Sequence, residues 1–120
     1  MTIISHYKNL TPYITQDGSE IRELMHPDEQ GNTSQSLAEA IVKPGQTTLL
    51  HYHRTSEELY FILQGEGKMQ LGKTFFPVKK TDTICIPPGT QHRIENTSHE
   101  NLIILCCCSP AYSHADTVII

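Results

Sequence analysis

Apolar positions in this chain come in short runs, and turn-forming residues punctuate nearly all of them. The run Leu59-Tyr60-Phe61-Ile62-Leu63 is apolar on both faces of a strand. That pattern predicts one face toward a barrel interior and the other against a second sheet or a partner chain. Residues 36–43 carry Leu37, Ala38, Ala40, Ile41 and Val42 and stop at Pro44-Gly45. Their length and flanks predict a strand, although Leu-Ala-Glu-Ala has helical propensity. Residues 47–53, rich in β-branched and aromatic side chains, predict the next strand.

Further strands are expected at residues 19–26, 83–86, 92–96 and 102–108, with a hairpin of 68–71 and 74–78 joined by Gly72-Lys73. Residues 58–64 form the central strand, and Gly65-Glu66-Gly67 then reads as a hairpin turn. It lacks the third glycine and the helix of a phosphate-binding loop. The N-terminus reads as an irregular arm with a short strand at 3–7 and a turn at Gln16-Asp17-Gly18, and residues 27–34 as a loop or at most one helical turn. About nine short strands between turn signals predict an all-β barrel or jelly roll.

The length of 120 residues predicts one domain around a single core. Within it, residues 1–35 are the arm and a flanking strand, 36–110 the barrel and 111–120 a C-terminal tail. The net charge is −4 and the nine Lys and Arg residues are scattered, a pattern that argues against a nucleic-acid partner. The N-terminus lacks the long apolar core of a signal peptide, and no apolar run approaches a membrane span. A soluble, cytoplasmic protein is the expectation. Cys85 and the run Cys106-Cys107-Cys108 do not look like a disulfide framework, because neighbours on a strand face opposite ways. They are expected as reduced thiols acting as small buried residues. Two sharper alternatives stand beside that: Cys106 and Cys108 lining a pocket, or a zinc site with His114.

Two stretches carry the candidate chemistry. His51 and His53 are two apart, so on a strand they share a face about 6.6 Å apart. At that spacing both imidazoles can lean toward one metal ion. Glu58 could add a carboxylate oxygen, and His92, on another strand, could close a three-His, one-carboxylate site. These residues resemble the two motifs of the cupin superfamily, G-x5-H-x-H-x3/4-E-x6-G and G-x5-P-x-G-x2-H-x3-N. Gly45, His51, His53, Glu58 and Gly65 fit the first; Pro87, Gly89, His92 and Asn96 fit the second, in which Thr81 replaces the opening glycine. The resemblance implies a small jelly-roll barrel, the double-stranded β-helix. It also implies that His51, His53, Glu58 and His92 ligate one divalent ion. Glu57 is the alternative carboxylate, but Glu58 keeps the spacing to Gly65 and alternates with Tyr60 and Ile62 on the inward face. Gln91 reads as a turn residue.

Mixed N and O ligands suit Fe, Mn, Ni, Zn or Cu, and four protein ligands leave room for a small-molecule ligand or substrate. Ile62, Ile84 and Ile94 are expected to line its pocket, with Tyr60 and Met69 as further wall candidates. Arg22 could reach inside to hold a carboxylate, or lie solvated outside. The fold hosts many chemistries. The first expectation is a metal-dependent enzyme of the oxygenase type. The alternatives are a metal-dependent sugar isomerase, epimerase or lyase, and a non-catalytic small-molecule binder. The outward face of Leu59, Phe61 and Leu63 predicts a homodimer, with the N-terminal arm able to cross to the partner.

Overall fold

The computed structural model describes residues 2–120. Eleven strands follow in order: β1 (Tyr13–Ile14), β2 (Glu20–Met25), β3 (Ser36–Val42), β4 (His51–His53), β5 (Glu57–Gln64), β6 (Glu66–Leu71), β7 (Thr74–Lys79), β8 (Thr83–Ile86), β9 (His92–Asn96), β10 (Leu102–Ser109) and β11 (Thr117–Ile119). They form a six-stranded sheet, β1-β2-β3-β10-β5-β8, and a five-stranded sheet, β11-β4-β9-β6-β7. Every pairing is antiparallel. The fold is the all-β jelly-roll barrel that the sequence predicts.

The period-2 pattern decides what faces inward. On β5 Glu58, Tyr60 and Ile62 are buried while Leu59 and Leu63 stay exposed. On β10, the strand between β3 and β5, Leu102, Ile104, Cys106 and Cys108 are buried. Ile62, Met69, Ile94, Leu102 and Ile104 make the centre of the core. Each such side chain, fully buried, contributes roughly 1.5–3 kcal/mol.

Four local expectations are corrected. Residues 3–7 form no strand; a 3-10 turn covers Tyr7–Asn9, and the Tyr7 ring packs under Arg22 while its hydroxyl donates to Glu39 at 2.7 Å. The strand expected over 47–53 begins only at His51. Thr47 makes one isolated bridge to Glu95, and the Thr48 hydroxyl oxygen takes the Ile94 N–H at 3.0 Å. Only Gly65, at φ +88°, makes the turn after β5, and Gly67 is already inside β6. A Cβ at Gly67 would stand 2.6 Å from the Glu95 carbonyl, so its bare backbone is what lets β6 close on β9. Finally, the C-terminal segment read as a tail contains β11, which adds to β4. Asp116 fixes that junction by accepting from Thr55 N–H, Thr55 hydroxyl and Ser56 N–H at 2.9, 2.8 and 3.1 Å.

A buried side chain ties the far end of the sheets together. Asn96, with no exposed surface, donates to the Val42 and Glu100 carbonyls, each at 2.8 Å. Its Oδ1 accepts from Ser98 N–H at 2.8 Å and Ser98 hydroxyl at 2.7 Å.

Candidate metal centre

Three imidazoles and a carboxylate meet between the two sheets. His51 and His53 point inward from β4, with Tyr52 between them turned outward and partly exposed. His92 opens β9 directly opposite His51. The ring centroids lie 4.2 Å (His51–His92), 5.2 Å (His51–His53) and 5.4 Å (His53–His92) apart. One ligand nitrogen from each falls within 4.8 Å of the others. Glu58 reaches across from β5, its Oε1 3.2 Å from His53 Nε2 and 3.5 Å from His92 Nε2. All four are at least nine-tenths buried.

The other ring nitrogen of each histidine fixes its tautomer. His51 Nδ1 lies 2.7 Å from the Leu49 carbonyl and His92 Nδ1 2.9 Å from the Thr90 carbonyl. A carbonyl only accepts, so each Nδ1 carries the proton and donates it. His53 Nδ1 lies 2.9 Å from the Thr117 hydroxyl, which gives its own proton to the Ser113 carbonyl at 2.9 Å. His53 therefore donates there as well. In the neutral rings all three Nε2 atoms are bare lone pairs, the orientation that metal-ligating histidines usually show.

Two of these lone pairs, on His53 and His92, face a carboxylate that also can only accept. Glu58 Oε1 and His92 Nε2 are buried without any hydrogen-bond partner. Such a set repels itself unless a positive charge sits among the donors, either a metal ion or protons on the imidazoles. Burial, with His92 close by, pushes the His51 imidazole below its ordinary value of 6.5, which disfavours the proton there. Burial alone would raise the Glu58 carboxyl, but the His53 and His92 rings beside it outweigh burial and hold the group at about 2. The site thus keeps an ionised carboxylate beside three imidazoles, and the donor set fits a divalent transition metal.

Two neighbours were not legible in the motifs. Asp17, read from sequence only as a turn residue, brings Oδ2 to 3.7 Å from His51 Nε2 while its Oδ1 accepts from Ser19 N–H and hydroxyl at 2.9 and 2.6 Å. Cys108 donates its thiol proton to Glu58 Oε2 at 3.3 Å. Burial and the nearby carboxylate push that thiol up, so it remains a donor that orients Glu58.

His51, His53 and Glu58 border a cavity of about 50 Å³. Its walls include Ile94 but not Ile62, Ile84 or Met69, which lie in the packed core; Ile21, Ala40, Val42 and Ile104 take that role. Tyr60, Cys106 and Cys108 line it, as the sharper reading of the cysteines held, while Cys85 is exposed. Arg22 does not enter: it stays outside with Glu39 at 3.3 Å, and Ile21 and Glu23, on the opposite face of β2, line the cavity. Glu57 and Gln91 are exposed. His114, exposed and bonded to the Tyr112 hydroxyl at 2.9 Å, does not join the cysteines, and the three-histidine cluster is the metal-competent group among the described residues.

Comparison with known proteins places this architecture. The chain is 57% identical over 118 residues to the uncharacterized protein MJ1618 of Methanocaldococcus jannaschii, covering 98% of this chain and 94% of that one. It is 31% identical over 86 residues to an oxalate-binding protein of Thermotoga maritima, covering 72% and 71%. In fold it matches Pac13 of Streptomyces, described as a nucleoside dehydratase, with a TM-score of 0.80 at 17% identity over 100% of this chain and 92% of that one. The family described as Cupin domain matches residues 38–108, the span from the inward face of β3 through both histidine motifs to Cys108. By that match, and with the jelly roll and three-histidine cluster it accompanies, the chain belongs to the cupin family.

Proposed function

We propose that His51, His53, His92 and Glu58 hold one divalent transition metal and that the protein is a metal-dependent enzyme, of the oxygenase type, acting on a small organic molecule in the adjoining cavity. The observation that carries this reading is the convergence of three bare Nε2 atoms, two of which, on His53 and His92, lie 3.2 and 3.5 Å from the unpartnered Glu58 Oε1. Four protein ligands leave open positions on a six-coordinate ion, and the cavity lies beside them. A bound metal would supply Lewis-acid polarisation and, if redox-active, the means to use dioxygen. The chain's own residues do the rest. Ile21, Val42, Ile94 and Ile104 keep water from the site, which strengthens every electrostatic contact inside. The Cys108 thiol holds Glu58 in place, and Tyr60, its hydroxyl pushed up by burial and by Glu58, stays neutral beside it.

A second reading is favoured by Asp17. Its Oδ2 points at His51 Nε2 with no other protein partner, a placement suited to a base that moves a proton on a metal-bound substrate, as in isomerase or lyase chemistry. The experiment is elemental analysis of protein purified without a metal-affinity tag, followed by reconstitution with Fe(II), Mn(II), Ni(II), Zn(II) or Cu(II). Stoichiometric metal that disappears in His92→Ala supports the site; full occupancy in that variant under mild chelation defeats it. Oxygen uptake with catechols, thiols or keto acids that follows metal loading supports the oxygenase reading. Turnover with zinc and no oxygen consumption, lost in Asp17→Asn, replaces it with the second, and a ligand bound tightly and recovered unchanged defeats both in favour of a non-catalytic binder.

A further inference from the structure

The cavity beside the metal centre has a second compartment. Outside it lies a wider groove of about 530 Å³ bounded by Glu23, His26, Asp28, Glu29 and the segment around Tyr112 and His114. Tyr13, Glu23 and Tyr112 line both spaces and form the neck between them. Across the six-stranded sheet Glu23 pairs with Ala38, Ala38 with Cys106 and Cys106 with Tyr60. Its backbone is therefore three strand spacings, about 14 Å, from that of β5, which carries Glu58.

The charge of these walls is one-sided. None of the nine Lys and Arg residues lines either compartment among the described residues. Asp17, Glu23 and Glu58 line the inner one, and Glu23, Asp28 and Glu29 the outer one. In the inner compartment the metal centre itself is the one place an anion would find a positive charge, since His26 and His114 line only the outer one. A dianion such as oxalate would use that charge up and then face Asp17 with no arginine or lysine to offset the repulsion. Glu23 at the neck adds a specific demand. Its Oε1 takes the Tyr13 hydroxyl at 3.2 Å, but its Oε2 is buried with no partner. Burial pushes its carboxyl up, partly opposed by His26 and the Tyr13 hydroxyl, as in a group short of a donor or a positive charge.

We infer that the cavity selects an uncharged or cationic molecule that chelates the metal through one end and places a hydroxyl or ammonium donor against Glu23 Oε2 at the other, and that it discriminates against small carboxylate anions. Glu23 is the specificity-determining residue. This rests on the metal reading above, and departs from the oxalate that the name of the Thermotoga maritima relative would suggest.

Three catechols with a common chelating head test it: catechol itself, dopamine with an ammonium tail, and 3,4-dihydroxyphenylacetate with a carboxylate tail. Binding to zinc-loaded protein is measured by calorimetry, with oxalate as a fourth probe, so that no turnover is needed. Dopamine is expected to bind about tenfold or more tighter than 3,4-dihydroxyphenylacetate, with oxalate weakest. In Glu23→Gln, with zinc content unchanged, the two tailed catechols should come within about twofold of each other. Equal binding of these two, a preference that survives Glu23→Gln, oxalate binding tightest, or zinc-loaded protein that takes none of the catechols overturns the inference while leaving the metal site standing. Protein that takes up neither zinc nor any of Fe(II), Mn(II), Ni(II) and Cu(II) refutes both.

Discussion

Asn96 belongs to the second histidine motif, yet the structure gives it a task remote from the metal, and Asn96→Ala separates the two roles. The substitution deletes four hydrogen bonds from a side chain with no exposed surface: two donated to the Val42 and Glu100 carbonyls and two accepted from Ser98. Glu100 is exposed and Ser98 half-buried, so their groups can turn to water at a net loss of about 1 kcal/mol per bond. The bond to Val42 is buried at both ends, so its loss costs more, about 1–3 kcal/mol. The total is about 4–6 kcal/mol. For a chain of 120 residues this corresponds to a fall in Tm of about 12–24 °C, followed by circular dichroism in chelator. Metal stoichiometry at low temperature should stay at that of the parent, because none of the Asn96 bonds touches His51, His53, Glu58 or His92. A Tm within about 4 °C of the parent, or loss of metal at unchanged Tm, would refute the reasoning.

Other expectations follow from single features. Gly67→Ala should destabilise by about 2 kcal/mol in urea, since the new Cβ meets the Glu95 carbonyl at 2.6 Å and must part β6 from β9; an unchanged midpoint contradicts that close approach. Leu59 and Leu63 stand 41% and 37% exposed on the outer face of β5, so light scattering should give twice the chain mass of 13.5 kDa, and Leu59→Glu with Leu63→Glu should return it to the single-chain value. A parent that already runs as a monomer defeats the dimer. Burial would raise the Asp116 carboxyl, but its bonds from Thr55 and Ser56 outweigh this and lower it below 3.8. A lowered carboxylate contributes stability that is present above its unfolded value near 3.8 and is lost as pH falls further. The stability difference between parent and Asp116→Asn, measured by denaturant titration, should therefore shrink between about pH 4 and pH 2, and a difference constant with pH would contradict the assignment.

The parts of this molecule legible in sequence are those specified locally. Pro44-Gly45 and Gly72 mark chain reversals because positive φ suits glycine, and the burial of Glu58, Tyr60 and Ile62 on one face of β5 follows from strand alternation alone. The histidine pair and Glu58 were legible for the same reason: two apart on one strand, or in phase with an apolar run. What alternation leaves open is which of two faces is inside. On β2 it groups Arg22 with Leu24 against Ile21 and Glu23, and only the packing against β3 puts Glu23 in the cavity and Arg22 with Glu39 outside. Asp17 was out of reach because its approach to His51 depends on a loop contact, Leu49 N–H to the Asp17 carbonyl at 2.9 Å, between segments far apart in the chain. β11 was missed because three residues carry too little pattern, and their pairing depends on the distant clamp between Asp116 and Thr55.

The Thr117 hydroxyl gives that last strand a reach beyond its length. It accepts a hydrogen bond from His53 Nδ1–H and donates one to the Ser113 carbonyl, and the same strand is the outer neighbour of β4, the carrier of two of the three imidazoles. Thr117 and β11 therefore act as a latch on the candidate metal centre. A change at Thr117 would act on His53 from outside the barrel, freeing that ring without altering any of the four residues proposed to hold the ion.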